Sequence, residues 1–210
     1  MQKVLYILSQ TLSIILHPLF MPTYGMILYM MVMQNRLSNL PSLYIWLSII
    51  GTSILTAIIP ISLIFILLKK GQIDSLHIEN SKQRTTPYIY TLICFCFWCY
   101  FLRVTMHLPH ICLFIAIGAT IALAIVMLIN HWWKISAHLT GMGGLLGGIC
   151  SMALFYTMLP SALIISVLII SLLLMYARLY TNAHTPMQVV SGYLLGILCT
   201  FIPNLIIYYA

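Results

Sequence analysis

Residues 111–129 read ICLFIAIGATIALAIVMLI, nineteen residues without a charge. A helix needs roughly 20 consecutive apolar residues to cross a bilayer's hydrocarbon core, and this run supplies that length. Periodicity does not separate such a run from a buried strand, but its length argues for a helix. Inside a bilayer, a lone segment must also satisfy its own backbone hydrogen bonds, which a helix does. The same reading extends outward along the chain. Leu43–Leu68 and Pro87–Met106 precede the run, the latter joined to it by a tight turn at Pro109. His138–Met158, Ser161–Tyr176 and Pro186–Tyr208 follow it, with Pro160 at a turn. Val4–Met33 is long for one crossing, and His17-Pro18 and Pro22 interrupt it, which predicts a kinked or broken helix. The expected fold class is therefore an all-α integral membrane helix bundle of six to seven transmembrane helices, a single transmembrane domain over 1–210.

Composition points the same way. The chain is 62% hydrophobic and 5% charged, whereas a soluble domain carries about a quarter charged residues. Net charge is +7. On a soluble chain that would suggest nucleic acid. Here the cations are few and scattered between spans, which fits phosphate headgroups and positive-inside topology, and no nucleic-acid partner is expected. Asp74 and Glu79 are the only acids, which excludes a carboxylate metal site within the membrane. The cysteines 94, 96, 99, 112, 150 and 199 all lie in apolar stretches and read as small buried hydrophobes. The remaining histidines show no paired spacing across two spans that would suggest haem, and no cofactor is expected.

Counting crossings gives the first functional inference. Two spans separate the Lys82/Arg84 segment from Lys134–His138, and two more separate that segment from Arg178–His184. An even number of crossings returns the chain to the same face. Lys82, Arg84, Lys134, Ser136, His138, Arg178 and His184 are thus expected at one face. Cations beside serine, histidine and a helix start, with no acid among them, suit an anion with several oxygens. Two histidines add what anion binding does not need, a nucleophile and a proton donor. The glycine pairs Gly143/Gly147 and Gly144/Gly148, with Gly192 and Gly196, predict close contact of the helices that carry His138 and His184.

At these residues the chain resembles the type 2 phosphatidic acid phosphatase superfamily of membrane lipid phosphatases, over roughly 82–196. That family shows lysine, six residues, then arginine-proline; proline-serine-glycine-histidine; and serine-arginine, five residues, histidine, three residues, aspartate. Here the second motif reads Ile135-Ser136-Ala137-His138, and the third reads Ala177-Arg178, five residues, His184, three residues, Gln188. The first is partly kept as Arg84-Thr85-Thr86-Pro87, with Lys82 two before the arginine and His77 where the lysine would fall. The resemblance implies a catalytic core over 82–196 and a metal-independent lipid phosphatase. Its substrate would be a lipid phosphate monoester or diphosphate. It implies His184 as the nucleophile that forms a phosphohistidine, and His138 as the general acid. Arg84, Arg178, Ser136, Lys82 and Lys134 would bind phosphate, and Gln188 would orient the His184 ring. The expected location is integral to a membrane, the bacterial inner membrane.

Gln188 departs from the family, because an amide can hold the ring N–H but supplies no negative charge. Thr185-Pro186-Met187-Gln188 also reads as a helix capping box, so capping and ring-holding compete for one side chain. Asp74 or Glu79 could fold in from the polar loop as a substitute. The alternative function is a related protein, weak or inactive as an enzyme, that binds or moves phospholipids. Seven cations on the motif face against Arg36 and Arg103 opposite would place that face in the cytoplasm. Four of the seven are candidate ligands, however, and many relatives face the other way.

Overall fold

The computed structural model of the chain describes residues 2–36, 40–74, 81–156, 159 and 161–209, apart from the side chains at 36, 81 and 82. Among the described residues the fold is all-helical. The chain forms α1 (Gln2–Ile15), a 3₁₀ turn (Pro18–Phe20) and α2 (Met21–Arg36). Next come α3 (Ser42–Ser53) and α4 (Ile59–Lys69), joined end to end through a π turn (Ile54–Ile58). Then follow α5 (Ser81–Tyr100), extended by a second π turn (Phe101–Thr105), α6 (His110–Ile129), α7 (Ala137–Phe155), α8 (Ser161–Tyr180) and α9 (Pro186–Tyr209). Seven helical stretches in this set are long and apolar enough to cross a membrane. The first π turn has a local cause. Pro60 has no N–H for the Thr56 carbonyl and its ring would clash with it, so the helix widens there instead of breaking.

α7 lies at the centre of the bundle and packs most closely on α9. The glycines make that approach possible. A Cβ on Gly192 would fall 2.6 Å from the Ser136 carbonyl oxygen, and one on Gly196 would fall 2.6 Å from the Gly144 nitrogen. Hydrogen bonds close the seam further along: Thr200 Oγ1 donates to the Gly144 carbonyl at 3.1 Å, and Ser151 Oγ to the Thr200 carbonyl at 3.2 Å. The contact expected between the His138-bearing and His184-bearing helices is present.

The N-terminal stretch breaks where His17-Pro18 predicted, and the break separates two helices with different courses. The Gln2 carbonyl accepts from Tyr180 Oη at the end of α8 (3.4 Å), and the Ser13 carbonyl contacts His138 at the start of α7 (3.1 Å). Both ends of α1 therefore lie near the face where α8 ends and α7 begins, and α1 packs along α8. The crossing belongs to α2, which runs beside α7 from Met21, near Gly141, to Gly25, near Leu145, and onward. α1 buries Ser9 and Ser13 and exposes Val4, Ile7, Leu8, Ile14 and Ile15. Its small serines face the bundle, while most of its exposed side is apolar, with Lys3 and Thr11 also outside.

Candidate functional site

A cavity of about 1110 Å³ runs through the bundle, and Arg84, Lys134, His138, Arg178 and His184 line one end of it. The crossing count is thus matched by geometry: side chains from stretches of chain nearly a hundred residues apart share one hollow. Among the described residues, no Asp or Glu lines it. Arg84 sits in the first turn of α5 and donates from Nη1 to Asn130 Oδ1 at 3.1 Å. Asn130, just after α6, is only 3% exposed. Arg178, in the last turn of α8, buries its Nε without a hydrogen-bond partner among the described residues. The two guanidinium groups are close enough to repel each other. Cations gathered without a carboxylate are unfavourable unless an anion joins them.

Local sequence explains how His184 reaches this hollow. α8 ends at Tyr180, and Asn182 adopts the left-handed conformation (φ 51°), which asparagine tolerates better than most residues. The Ala183 N–H then closes back on the Arg178 carbonyl at 3.1 Å, a reversal that ends the helix and turns His184 inward. Two bonds stitch this turn to the link before α7. The Ser136 N–H donates to the Gln188 carbonyl at 3.2 Å, and His184 Nδ1 lies 3.1 Å from the Lys134 carbonyl.

Those contacts fix the protonation of the His184 ring. Gln188 Oε1 lies 3.3 Å from the same Nδ1 and also accepts the Thr185 N–H at 3.1 Å. A backbone carbonyl can only accept, so Nδ1 carries the ring proton and Nε2 keeps the lone pair. Burial, and after it the nearby Arg178 charge, lowers the His184 pKa to about 4, which leaves the ring neutral at neutral pH. The competition expected at Gln188 does not arise, since one amide oxygen caps α9 and holds the ring together.

His138 is seated differently. Its Nε2 lies 3.1 Å from the Ser13 carbonyl, so that nitrogen carries the proton. The carbonyl is available because the His17 N–H donates to Ile14 instead, and Pro18 ends the helix beyond it. His138 thus caps the C-terminus of α1. The His17 ring stands against it, with centroids 5.3 Å apart and planes at 81°. His17 lines the same cavity, and its Nδ1 accepts the Leu19 N–H at 3.4 Å.

The other expected site residues divide. Lys134 lines the cavity and Gln188 supports His184 from behind. Ser136 is a correction: it is fully buried where α7 starts, under Gly192, and is not among the cavity-lining residues. Its hydroxyl finds no partner among the described residues, so its backbone, through the bond to Gln188, is what serves the site. Asp74 is also corrected. It is exposed, accepts from Gln83 Nε2 at 2.8 Å and stays out of the cavity. Glu79, His77 and the Lys82 side chain lie outside the described residues. Among the described residues, no group of His, Cys, Asp and Glu side chains could hold a metal ion.

Sequence reading took His17 only as part of a helix break and passed over Asn130. Each carried a signal: a histidine before the proline that breaks an apolar run, and an asparagine directly after an uncharged span. No family model matches the chain, nor does any curated protein or solved structure.

Proposed function

We propose that the protein hydrolyses a phosphate monoester or diphosphate of a lipid through a phosphohistidine, with a core like that of the type 2 phosphatidic acid phosphatases. The observation that carries the reading is the His184 ring. Its proton is held on Nδ1 by two acceptors, and its unprotonated Nε2 belongs to a residue that lines a cavity mouth with two arginines and a second histidine.

In this reading the phosphate settles against Arg84, Arg178 and Lys134. The forked donors of arginine match its oxygens, and its charge offsets theirs. Nε2 of His184 attacks phosphorus, the bond to the leaving oxygen breaks, and the ring carries phosphate while Gln188 and the Lys134 carbonyl keep Nδ1–H. His138 takes up a proton at Nδ1 as the bound anion offsets the guanidinium charges, and delivers it to the leaving oxygen. Water then attacks the phosphohistidine and gives its proton to His138. Phosphate departs, His138 releases the proton to solvent in exchange for the one it took up at the start, and both rings return to their starting state.

A second reading has its own support. Gln188 brings no negative charge to the ring, and the N–H of His138 is already engaged by α1. A protein that binds or moves lipid phosphates without cleaving them fits those features. Phosphate release from the purified protein in detergent separates the two. Cleavage predicts a rate that falls at least about a thousandfold in His184→Ala. Equal background rates in both proteins, with lipid binding kept, favour the binder.

A further inference from the structure

Away from its cationic mouth the cavity continues as an apolar shaft. Three helices each turn one face at helical spacing toward it, and α2 closes it with Gly25, Met26 and Tyr29. α5 presents Arg84, Tyr88, Thr91, Phe95 and Trp98, with Leu102 beyond. α6 presents Val126, Ala122, Ala119, Ile115 and Cys112, and α7 presents His138, Gly141, Leu145, Gly148 and Met152. From His138 to Met152 the rise along α7 is about 21 Å. One leaflet contributes only about 15 Å of the bilayer's hydrocarbon core. Protein interiors leave few voids larger than a water molecule, so a space of about 1110 Å³ between packed helices is not ordinary core.

The walls carry side chains smaller than the packing requires. A Cβ on Gly25 or Gly144 would meet nothing closer than 3.5 or 3.6 Å, an ordinary contact, unlike those on Gly192 and Gly196 in the seam. Glycine at these lining positions keeps width in the shaft. The lining also includes exposed Tyr6 and Ile14 of α1 and Phe65 of α4, which places an opening between those helices at the cationic end.

We infer that the lipid phosphate is drawn into the bundle, with its hydrocarbon chain lying in this shaft and not in the surrounding bilayer. The substrate class is then a long-chain amphiphile chosen by chain length, with Trp98, Leu102 and Met152 at the closed end. This rests on the proposed function for the identity of the headgroup, but the place of the chain is testable without catalysis.

An alkyl phosphate with a photoreactive diazirine at its far end is bound to the His184→Ala protein and irradiated. The chain in the shaft gives label on Phe95, Trp98, Leu102, Cys112 or Met152. Label confined to outward-facing residues such as Leu128, Ile165 and Leu172 overturns the inference, and so does the absence of labelling. In the unmodified protein, octyl, dodecyl and hexadecyl phosphates are compared below their micellar concentrations. kcat/KM rises at least about tenfold from octyl to hexadecyl, because the added methylenes leave water for the shaft. Ala119→Trp, which fills the shaft midway, lowers the hexadecyl-to-octyl ratio at least about tenfold. A flat chain-length series, or equal loss for both chains, overturns the inference while leaving hydrolysis intact. Shaft labelling without phosphate release from any chain length keeps the inference and removes the hydrolase reading.

Discussion

His184 and His138 share one cavity mouth, yet each is held by a different kind of structure. His184 is seated by the seam between α7 and α9, where backbone bonds and glycine contacts leave no slack. His138 is seated by the broken end of α1, a helix with an exposed apolar edge that bonds it through one carbonyl. The nucleophile of the proposed reaction thus stands on the most closely packed contact of the bundle. The proton donor stands where its Nε2–H is held by one carbonyl of α1, so Nδ1 is the nitrogen left to take up and deliver the proton.

The largest effect is expected from breaking the seam. Gly192→Val or Gly196→Leu forces a side chain onto backbone atoms that cannot retreat, at a cost of about 3 kcal/mol or more. Thermal unfolding in detergent should drop by ten degrees or so, or the protein should fail to purify as a folded species. Gly25→Ala is the control, since a Cβ there makes ordinary contact and alanine favours the helix. Its midpoint should stay the same or rise. If the two classes behave alike, the seam is not what holds His184.

Next come substitutions at the second seat, which separate capping of α1 from chemistry. His138→Ala removes both and should lose at least about a hundredfold in kcat, together with about 1 kcal/mol of stability. His138→Gln keeps a donor within reach of the Ser13 carbonyl. It should recover the stability and none of the rate. Recovery of the rate by glutamine would reduce His138 to a structural cap. His17→Ala should cost less, on the order of tenfold, because His17 packs against the His138 ring and orients it.

The two seats also differ in how far they could be read in the sequence. The bundle was legible, because uncharged runs of bilayer length leave little else to form. Parity of crossings brought Arg84, His138, Arg178 and His184 together without any knowledge of packing. The seam was legible too, since glycines repeated at helical spacing announce a close neighbour. α1 was not. His17-Pro18 and Pro22 marked a break in Val4–Met33 but not its direction, and only contacts at Gln2 and Ser13 show the first half staying near one face. Ser136 was misread because a residue at a helix start can serve through its backbone, and spacing does not say which way a hydroxyl turns. The shaft was illegible for a similar reason. Gly143 and Gly144 are neighbours in sequence, and only the fold turns one toward α9 and leaves room beside the other.

The smallest expected effect is the most diagnostic of the rigid seat. Burial and Arg178 hold His184 at about 4, against about 6.5 for a free imidazole. The group is neutral in the folded protein and takes up a proton more readily when unfolded. Its contribution to stability is therefore whole above pH 6.5 and is lost as pH falls toward 4. The acid limb of kcat/KM, which reports the free enzyme, should accordingly lie near pH 4. Gln188→Glu keeps the length and the acceptor for both the Thr185 and His184 N–H groups, and adds the charge the amide lacks. A carboxylate beside the ring favours its protonated form, so the limb should move up by about one unit, with the midpoint of thermal unfolding at neutral pH little changed. A limb that stays in place would mean that Gln188 caps α9 and does not govern the ring. The contact between them would then be incidental to the chemistry, and the Lys134 carbonyl alone would fix the proton on Nδ1.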